Sequence, residues 1–129
     1  MGENILEVRG LTKEFAGVRA LDNIEFSVKE GEIHALMGEN GAGKSTLIKI
    51  LTGLYKADAG TIIFRGQERH FTTVLSAQKA GISTIYQELN MIPYLTVSEN
   101  IFLGHYPYDK TGIDWKKMHR DAQKLIDDI

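Results

Sequence analysis

Gly38-Glu39-Asn40-Gly41-Ala42-Gly43-Lys44-Ser45-Thr46 has the spacing G-x-x-x-x-G-K-S of a phosphate-binding loop, or P-loop. The mostly apolar run Ile33-His34-Ala35-Leu36-Met37 before it predicts a buried strand. Leu47-Ile48-Lys49-Ile50-Leu51 after it reads as the first turns of a helix. Each residue type has a physical reason. Gly38, Gly41 and Gly43 let the backbone turn tightly, so that successive N–H groups can face an anion. A helix beginning near Lys44 aims the positive end of its dipole at the same point. Lys44 would reach the β- and γ-phosphates, and the Ser45 hydroxyl would ligate Mg²⁺, a hard cation that prefers oxygen. The plain alternative is a glycine turn before an ordinary helix. A dinucleotide fingerprint starting at Gly41-Ala42-Gly43 fails, because Thr46 stands at its last glycine and the Lys-Ser pair has no role there.

Beyond the loop, composition narrows the class. The 129 residues, 43% hydrophobic and 25% charged, suit one globular domain. A net charge of −2 gives no reason to expect a nucleic-acid partner. With no cysteine there is no disulfide and no thiolate metal site, which fits a reducing cytosol. No apolar run reaches the length of a membrane span. Met1-Gly2-Glu3-Asn4 lacks the basic segment and apolar core of a signal peptide, and Leu6 breaks the myristoylation pattern.

Two or three strand segments precede the loop. Ile5–Val8 alternates in part, Leu11–Ala20 reads as a strand end and turn, and Ile24–Val28 alternates cleanly. The P-loop helix should stop at Thr52-Gly53. Thr61–Arg65 reads as a strand, Thr73–Ala80 as a helix stopped by Gly81, and Ile82–Tyr86 as a strand parallel to the P-loop strand. Thr96-x-x-Glu99 is a capping box, predicting a helix over Val97–Leu103. Gly104–Gly112 reads as an exposed loop. Asp114 caps a last helix with Trp115, Met118, Ala122, Leu125, Ile126 and Ile129 on one face. Asp127 and Asp128 lie where the helix dipole disfavours negative charge, and no glycine stop follows, so the chain reads as cut within a longer protein.

A P-loop hydrolase also needs an acidic residue at a strand end for the metal and a group that polarises the attacking water. Glu88 follows polar Ser83-Thr84, and Asp127-Asp128 lies in a helical pattern, so a loop carboxylate and a helix end explain them better. His34, His70, His105 and His119 have no metal-ligand spacing.

Val8–Val28, the P-loop, Tyr86-Gln87-Glu88-Leu89-Asn90 and Leu95-Thr96-Val97-x-Glu99-Asn100-Ile101 together resemble the nucleotide-binding subunits of ATP-binding cassette (ABC) transporters. Gly38–Thr46 with Gln87–Asn90 and Glu99–Gly104 is similar to bacterial monosaccharide importers, in which two cassettes share one chain, and Gly112-Ile113-Asp114-Trp115-Lys116 looks most like ribose-type members. The resemblance implies an α/β fold: part of an ABC-type P-loop ATPase core with an N-terminal antiparallel β-subdomain. Residues 1–129 would then be the N-terminal part of one nucleotide-binding domain. It implies that Phe15 stacks on adenine and Val18 touches the ribose. Gly38, Glu39, Asn40, Gly41, Ala42, Gly43, Lys44, Ser45 and Thr46 would hold the phosphates. Ser45 and Gln87 would meet Mg²⁺, with Lys44 and Gln87 as the catalytic pair. A surface Gln87 and a core Phe15 are the alternatives.

ATP and Mg²⁺ are the implied ligands. The implied partners are transmembrane permease subunits meeting about residues 87–104, a second cassette and, indirectly, a periplasmic sugar-binding protein. The implied location is cytoplasmic, peripheral on the inner face of the membrane. The family's Leu-Ser-Gly-Gly-Gln signature, its Asp-Glu strand and its switch histidine do not occur, and Leu75-Ser76-Ala77-Gln78 is a decoy without the glycines. A GTPase would carry N-K-x-D, whose nearest match, Thr12-Lys13-Glu14-Phe15, lacks the Asp. A soluble cassette ATPase without a permease and a non-catalytic binding module stay open as rivals.

Overall fold

The computed structural model describes residues 3–86 and 91–129. They form two compact units, Met1–Ile85 and Tyr86–Ile129.

The first unit is organised by two tight hairpins. Strands β1 (Asn4–Phe15) and β2 (Val18–Lys29) are joined by Ala16-Gly17, with φ of 44° and 83°. Strands β3 (Ala59–Phe64) and β4 (Gln67–Arg69) are joined by Arg65-Gly66, with φ of 51° and 71°. Positive φ at both central residues is the turn whose twist matches paired strands. The resulting sheet is antiparallel, in the order β2-β1-β3-β4. β1 and β2 are 12 residues each, longer than their apolar patterns indicate, because the tight turn draws polar Arg9, Thr12, Lys13 and Glu14 into the ladder. β4 is polar and exposed, so no hydrophobic alternation announces it.

The register of β1 shifts between Val8 and Leu11, where Gly10 has φ 61°. Strict alternation would put Val8 and Leu11 on opposite faces. The bulge re-aims the strand, and both are buried. Gly60 of β3 lies so close to this point that an added Cβ would be 2.6 Å from both the Gly10 carbonyl oxygen and Leu11 Cα.

Helix α1 (Lys44–Leu51) buries Leu47, Ile50 and Leu51, spaced for one helix face, in a core with Val8, Leu11, Leu21, Ile62 and Phe64. Each such side chain, fully buried, contributes about 1.5–3 kcal/mol. Helix α2 (Val74–Ala80) adds Ala77 to the same core. It stops at left-handed Gly81, as its sequence predicts, and starts at a Thr73–Ser76 capping box. Thr52-Gly53 ends α1, also as expected.

Ile33–Met37 and Ile82–Tyr86 do not form the expected strands. Ile33 is 100% and Met37 87% exposed. A parallel strand exists only as half of a pair, and among the described residues no strand pairs with either run, although the His34 ring lies 5.5 Å from that of Phe26 in β2.

In the second unit, α3 (Val97–Ile101) packs against α4 (Trp115–Asp127). α3 ends two residues before the expected Leu103, but its capping box forms: Glu99 N donates to Thr96 Oγ1 and Thr96 N to Glu99 Oε2. Asp114 caps α4 by accepting from Lys117 N at 2.9 Å. Of the expected apolar face, Met118 and Ala122 are buried, whereas Trp115, Leu125, Ile126 and Ile129 stay exposed. The loop before α4 contains a small hairpin, β5 (Tyr108–Asp109) and β6 (Gly112–Ile113), whose turn is held by Asp109 Oδ1 accepting from Thr111 and Gly112.

Candidate functional site

The P-loop leads into α1. Its N-cap is Gly43, left-handed at φ 88°, with no side-chain cap. The first-turn N–H groups of a helix have no intrahelical acceptor, so here they are open to an anion at the positive end of the dipole. Ala42 N donates to the Glu39 carbonyl at 3.1 Å, making the turn. Lys44 Nζ folds back across the loop and donates to the carbonyls of Gly38 and Glu39 at 2.5 and 2.7 Å. Glu39, Asn40, Gly41, Ala42 and Ser45 are exposed; Lys44 and Thr46 are half-buried.

The glycines serve different ends. Gly38 does not have positive φ, but a Cβ there would stand 3.3 Å from Ala42 Cβ and 3.8 Å from Lys44 Nζ, in the hollow of the loop. At Gly43 a Cβ would run into the Ala20 carbonyl oxygen and lie 2.8 Å from Leu21 Cδ2. The P-loop therefore lies directly against the start of β2.

That contact brings in the hairpin turn. Phe15 and Val18 face each other across it, and Val18 is two residues along β2 from Ala20. Val18 is 69% exposed. Phe15 is 39% exposed, so it is not the core phenylalanine of the alternative reading. Its ring meets Tyr55 edge-to-face, with centroids 5.3 Å apart, and Lys13 Nζ sits 5.1 Å from its centroid. Phe15, Val18 and the P-loop thus gather at one end of the first unit.

Gln87 and Glu88 lie outside the described residues. Asp127 accepts a hydrogen bond from Gln123 within α4, and Asp128 is the helix C-cap, as the helix-end reading has it. The decoy Leu75–Gln78 lies in α2, where Ser76 is spent on the cap. His34 pairs with Glu32 at 3.1 Å and His119 Nδ1 lies 2.7 Å from Ser98 Oγ. Among the described residues no three His, Cys, Asp or Glu side chains are grouped to hold a metal. The Ser45 hydroxyl, exposed in the first turn of α1, fits a hard cation that takes its remaining ligands from phosphate oxygens and water.

Two neighbours of the hairpin turn were given no part by the sequence, Tyr55 and Asp58. Asp58 Oδ1 accepts from Lys13 Nζ and Oδ2 from Glu14 N, both at 2.8 Å. These bonds hold its carboxyl below the ordinary aspartate range, the Lys13 hydrogen bond contributing most. The contacts join residues 44 and 45 apart, so no local spacing signals them.

In the second unit, Asn100 organises the turn before α3. Its Oδ1 accepts from Ile92 N at 2.8 Å, and its Nδ2 donates to the carbonyls of Ile92, Leu95 and Thr96. Met91, Tyr94 and Val97 are exposed around it.

Residues 21–129 match the family described as ABC transporter. The chain is 52% identical to the xylose import ATP-binding protein XylG of Thermoanaerobacter pseudethanolicus, over 100% of this chain and 26% of that one. It is also 52% identical to the fructose import ATP-binding protein FruK of Bifidobacterium longum, over 95% of this chain and 24% of that one. It therefore spans about a quarter of the length of these curated relatives. Among solved structures it resembles a nucleotide-free ATP-binding cassette from an ABC transporter, at TM-score 0.73 and 30% identity, over 90% of this chain and 45% of that one. The chain belongs to the ABC transporter family.

Proposed function

We propose that the chain binds Mg·ATP at its P-loop as part of a nucleotide-binding domain whose ATP hydrolysis drives monosaccharide import. The observation that carries this reading is the loop itself. Lys44 is drawn over the carbonyls of Gly38 and Glu39, beneath uncapped helix N–H groups, with an aromatic ring at the adjoining hairpin turn. That arrangement supplies cation, amide donors and a stacking face for triphosphate and base. Phe15 stacks on adenine, Val18 touches the ribose, residues 38–46 hold the phosphates and Ser45 ligates Mg²⁺. Gln87 meets the metal and the attacking water. The family match runs through both compact units, which supports counting residues 1–129 as part of one domain.

The similar importer subunits support a sugar cargo. Gly112–Lys116 favours a ribose-type member, while the relatives just described are named for xylose and fructose. Exposed Met91, Tyr94 and Val97 suit a permease contact within about residues 87–104. A second cassette would close over ATP, a periplasmic sugar-binding protein would act at a distance, and the subunit would lie on the cytoplasmic face of the membrane. No helix among the described residues is long and apolar enough to cross a membrane.

Phosphate release by the purified chain tests the division of labour. The chain should bind Mg·ATP yet turn it over several powers of ten more slowly than a complete ATPase, because the positioned carboxylate and the facing signature loop are not in its sequence. Robust turnover that Lys44→Ala abolishes would put the catalytic carboxylate inside residues 1–129, with Glu88 the first suspect. Competition by GTP as strong as by ATP would favour the GTPase class, and failure to co-purify with a membrane protein would favour the soluble one.

A further inference from the structure

We propose that Asp58 and Tyr55 are positioning residues that hold the Phe15 ring at the base end of the nucleotide site, so that the loop leaving the P-loop helix sets where adenine stacks. The inference rests on the reading of Phe15 as the stacking ring.

A ring next to a hairpin turn is poorly placed for stacking unless something orders it, because exposed turns open with little cost and each ordering step subtracts from affinity. Here the loop after α1 supplies the order. Asp58 makes hydrogen bonds to the three residues that immediately precede Phe15. Its N–H donates to the Thr12 carbonyl at 3.0 Å, Oδ1 accepts from Lys13 Nζ and Oδ2 from Glu14 N. Both carboxylate oxygens are used, so the backbone reaching Phe15 is held on two sides. The second support is Tyr55, whose ring meets Phe15 at 65° in the edge-to-face geometry aromatic pairs prefer.

Tyr55 is itself tied to α1. Its N–H donates to the Lys49 carbonyl at 3.0 Å, and Lys49 Nζ lies 5.2 Å from its ring centroid. The opposite end of α1 carries Lys44 and the uncapped amides. One helix thus bears the phosphate cradle at its start and the support for the stacking ring at its finish, about 12 Å apart for eight residues.

Magnitudes favour orientation over bulk stability. The Asp58 side chain is 47% exposed, and a part-exposed ion pair contributes little to folding. Holding one ring over a base matters more, since base–aromatic stacking acts on the ligand directly.

The test compares the affinities of ATP and inorganic triphosphate by calorimetry for the protein and its variants. Asp58→Ala and Tyr55→Ala should lower the ratio of ATP to triphosphate affinity about threefold to tenfold, a part of the full stack. Tyr55→Phe, which keeps the edge-to-face ring, should restore it. In a Phe15→Ala background neither alanine variant should lower the ratio further, since both act through that ring. Should Asp58→Ala fail to fold, Lys13→Met, which removes the ion-pair partner of Asp58 and the cation beside the Phe15 ring, should give the same selective loss at smaller size. The proposal is overturned if Phe15→Ala lowers the ratio while the Asp58, Lys13 and Tyr55 variants leave it unchanged, or if their effects add to that of Phe15→Ala. If Phe15→Ala itself leaves the ratio unchanged, the stacking reading fails and takes the proposal with it.

Discussion

Two kinds of apolar sequence in the first unit meet different ends. Ile5–Val8 and Ile24–Val28 pair as the two arms of one hairpin, Thr61–Phe64 pairs with β4 across a second tight turn and with β1 on its other side, and together they shelter Val8, Leu11, Ile62 and Phe64. Ile33–Met37 and Ile82–Tyr86 are as apolar, yet they lie unpaired among the described residues. Hairpin strands supply their own neighbours, whereas parallel strands depend on crossover connections of a dozen residues or more. Apolarity therefore marks what is to be buried, and connectivity decides whether the burying partner is near.

The largest expected contrast is between two isoleucines. Ile50→Ala should cost about 2–5 kcal/mol, because Ile50 is buried between α1 and the sheet. Ile33→Ala should change stability by less than about 0.5 kcal/mol, because Ile33 is fully exposed. Urea unfolding measures both, and a large loss at Ile33 would mean that its run packs against something after all.

A smaller effect should come from the close approach of β1 and β3. Gly60 has φ 96° and no room for a Cβ beside Gly10 and Leu11. Gly60→Ala should therefore cost more than about 1 kcal/mol in the same assay, through strain as well as contact. A neutral result would show that the β1 bulge can relax away from β3.

The smallest effect concerns the clamp at the hairpin turn. The Asp58 carboxyl is held below its ordinary range, chiefly by Lys13. Such a group adds stability above its unfolded value, about pH 3.9, and loses it as pH falls through the lower folded value. Carboxyl NMR should find its midpoint below the ordinary value, and Lys13→Met should raise it. An unshifted midpoint in the wild type would mean that the clamp is open in solution.

Much of this was legible in the sequence. The helix that follows the glycine loop, the Gly53 and Gly81 stops, the Thr96–Glu99 box and the Asp114 cap each rest on local chemistry, and each forms. Gathering Phe15, Val18 and the P-loop at one end also follows the resemblance to the family. Polar β4 had no pattern to announce it, and the expected parallel strands needed neighbours that a local pattern cannot guarantee. Asp58 and Tyr55 escaped notice because their contacts to the hairpin turn span some forty residues and carry no motif.

The central claim is that the Gly38–Thr46 loop holds the phosphates of a nucleotide. Titration of a fluorescent ATP analogue into the protein and into Lys44→Ala addresses it directly. Loss of the Lys44 charge, drawn across the loop, should weaken binding about tenfold or more. Equal affinities in the two proteins would contradict the assignment.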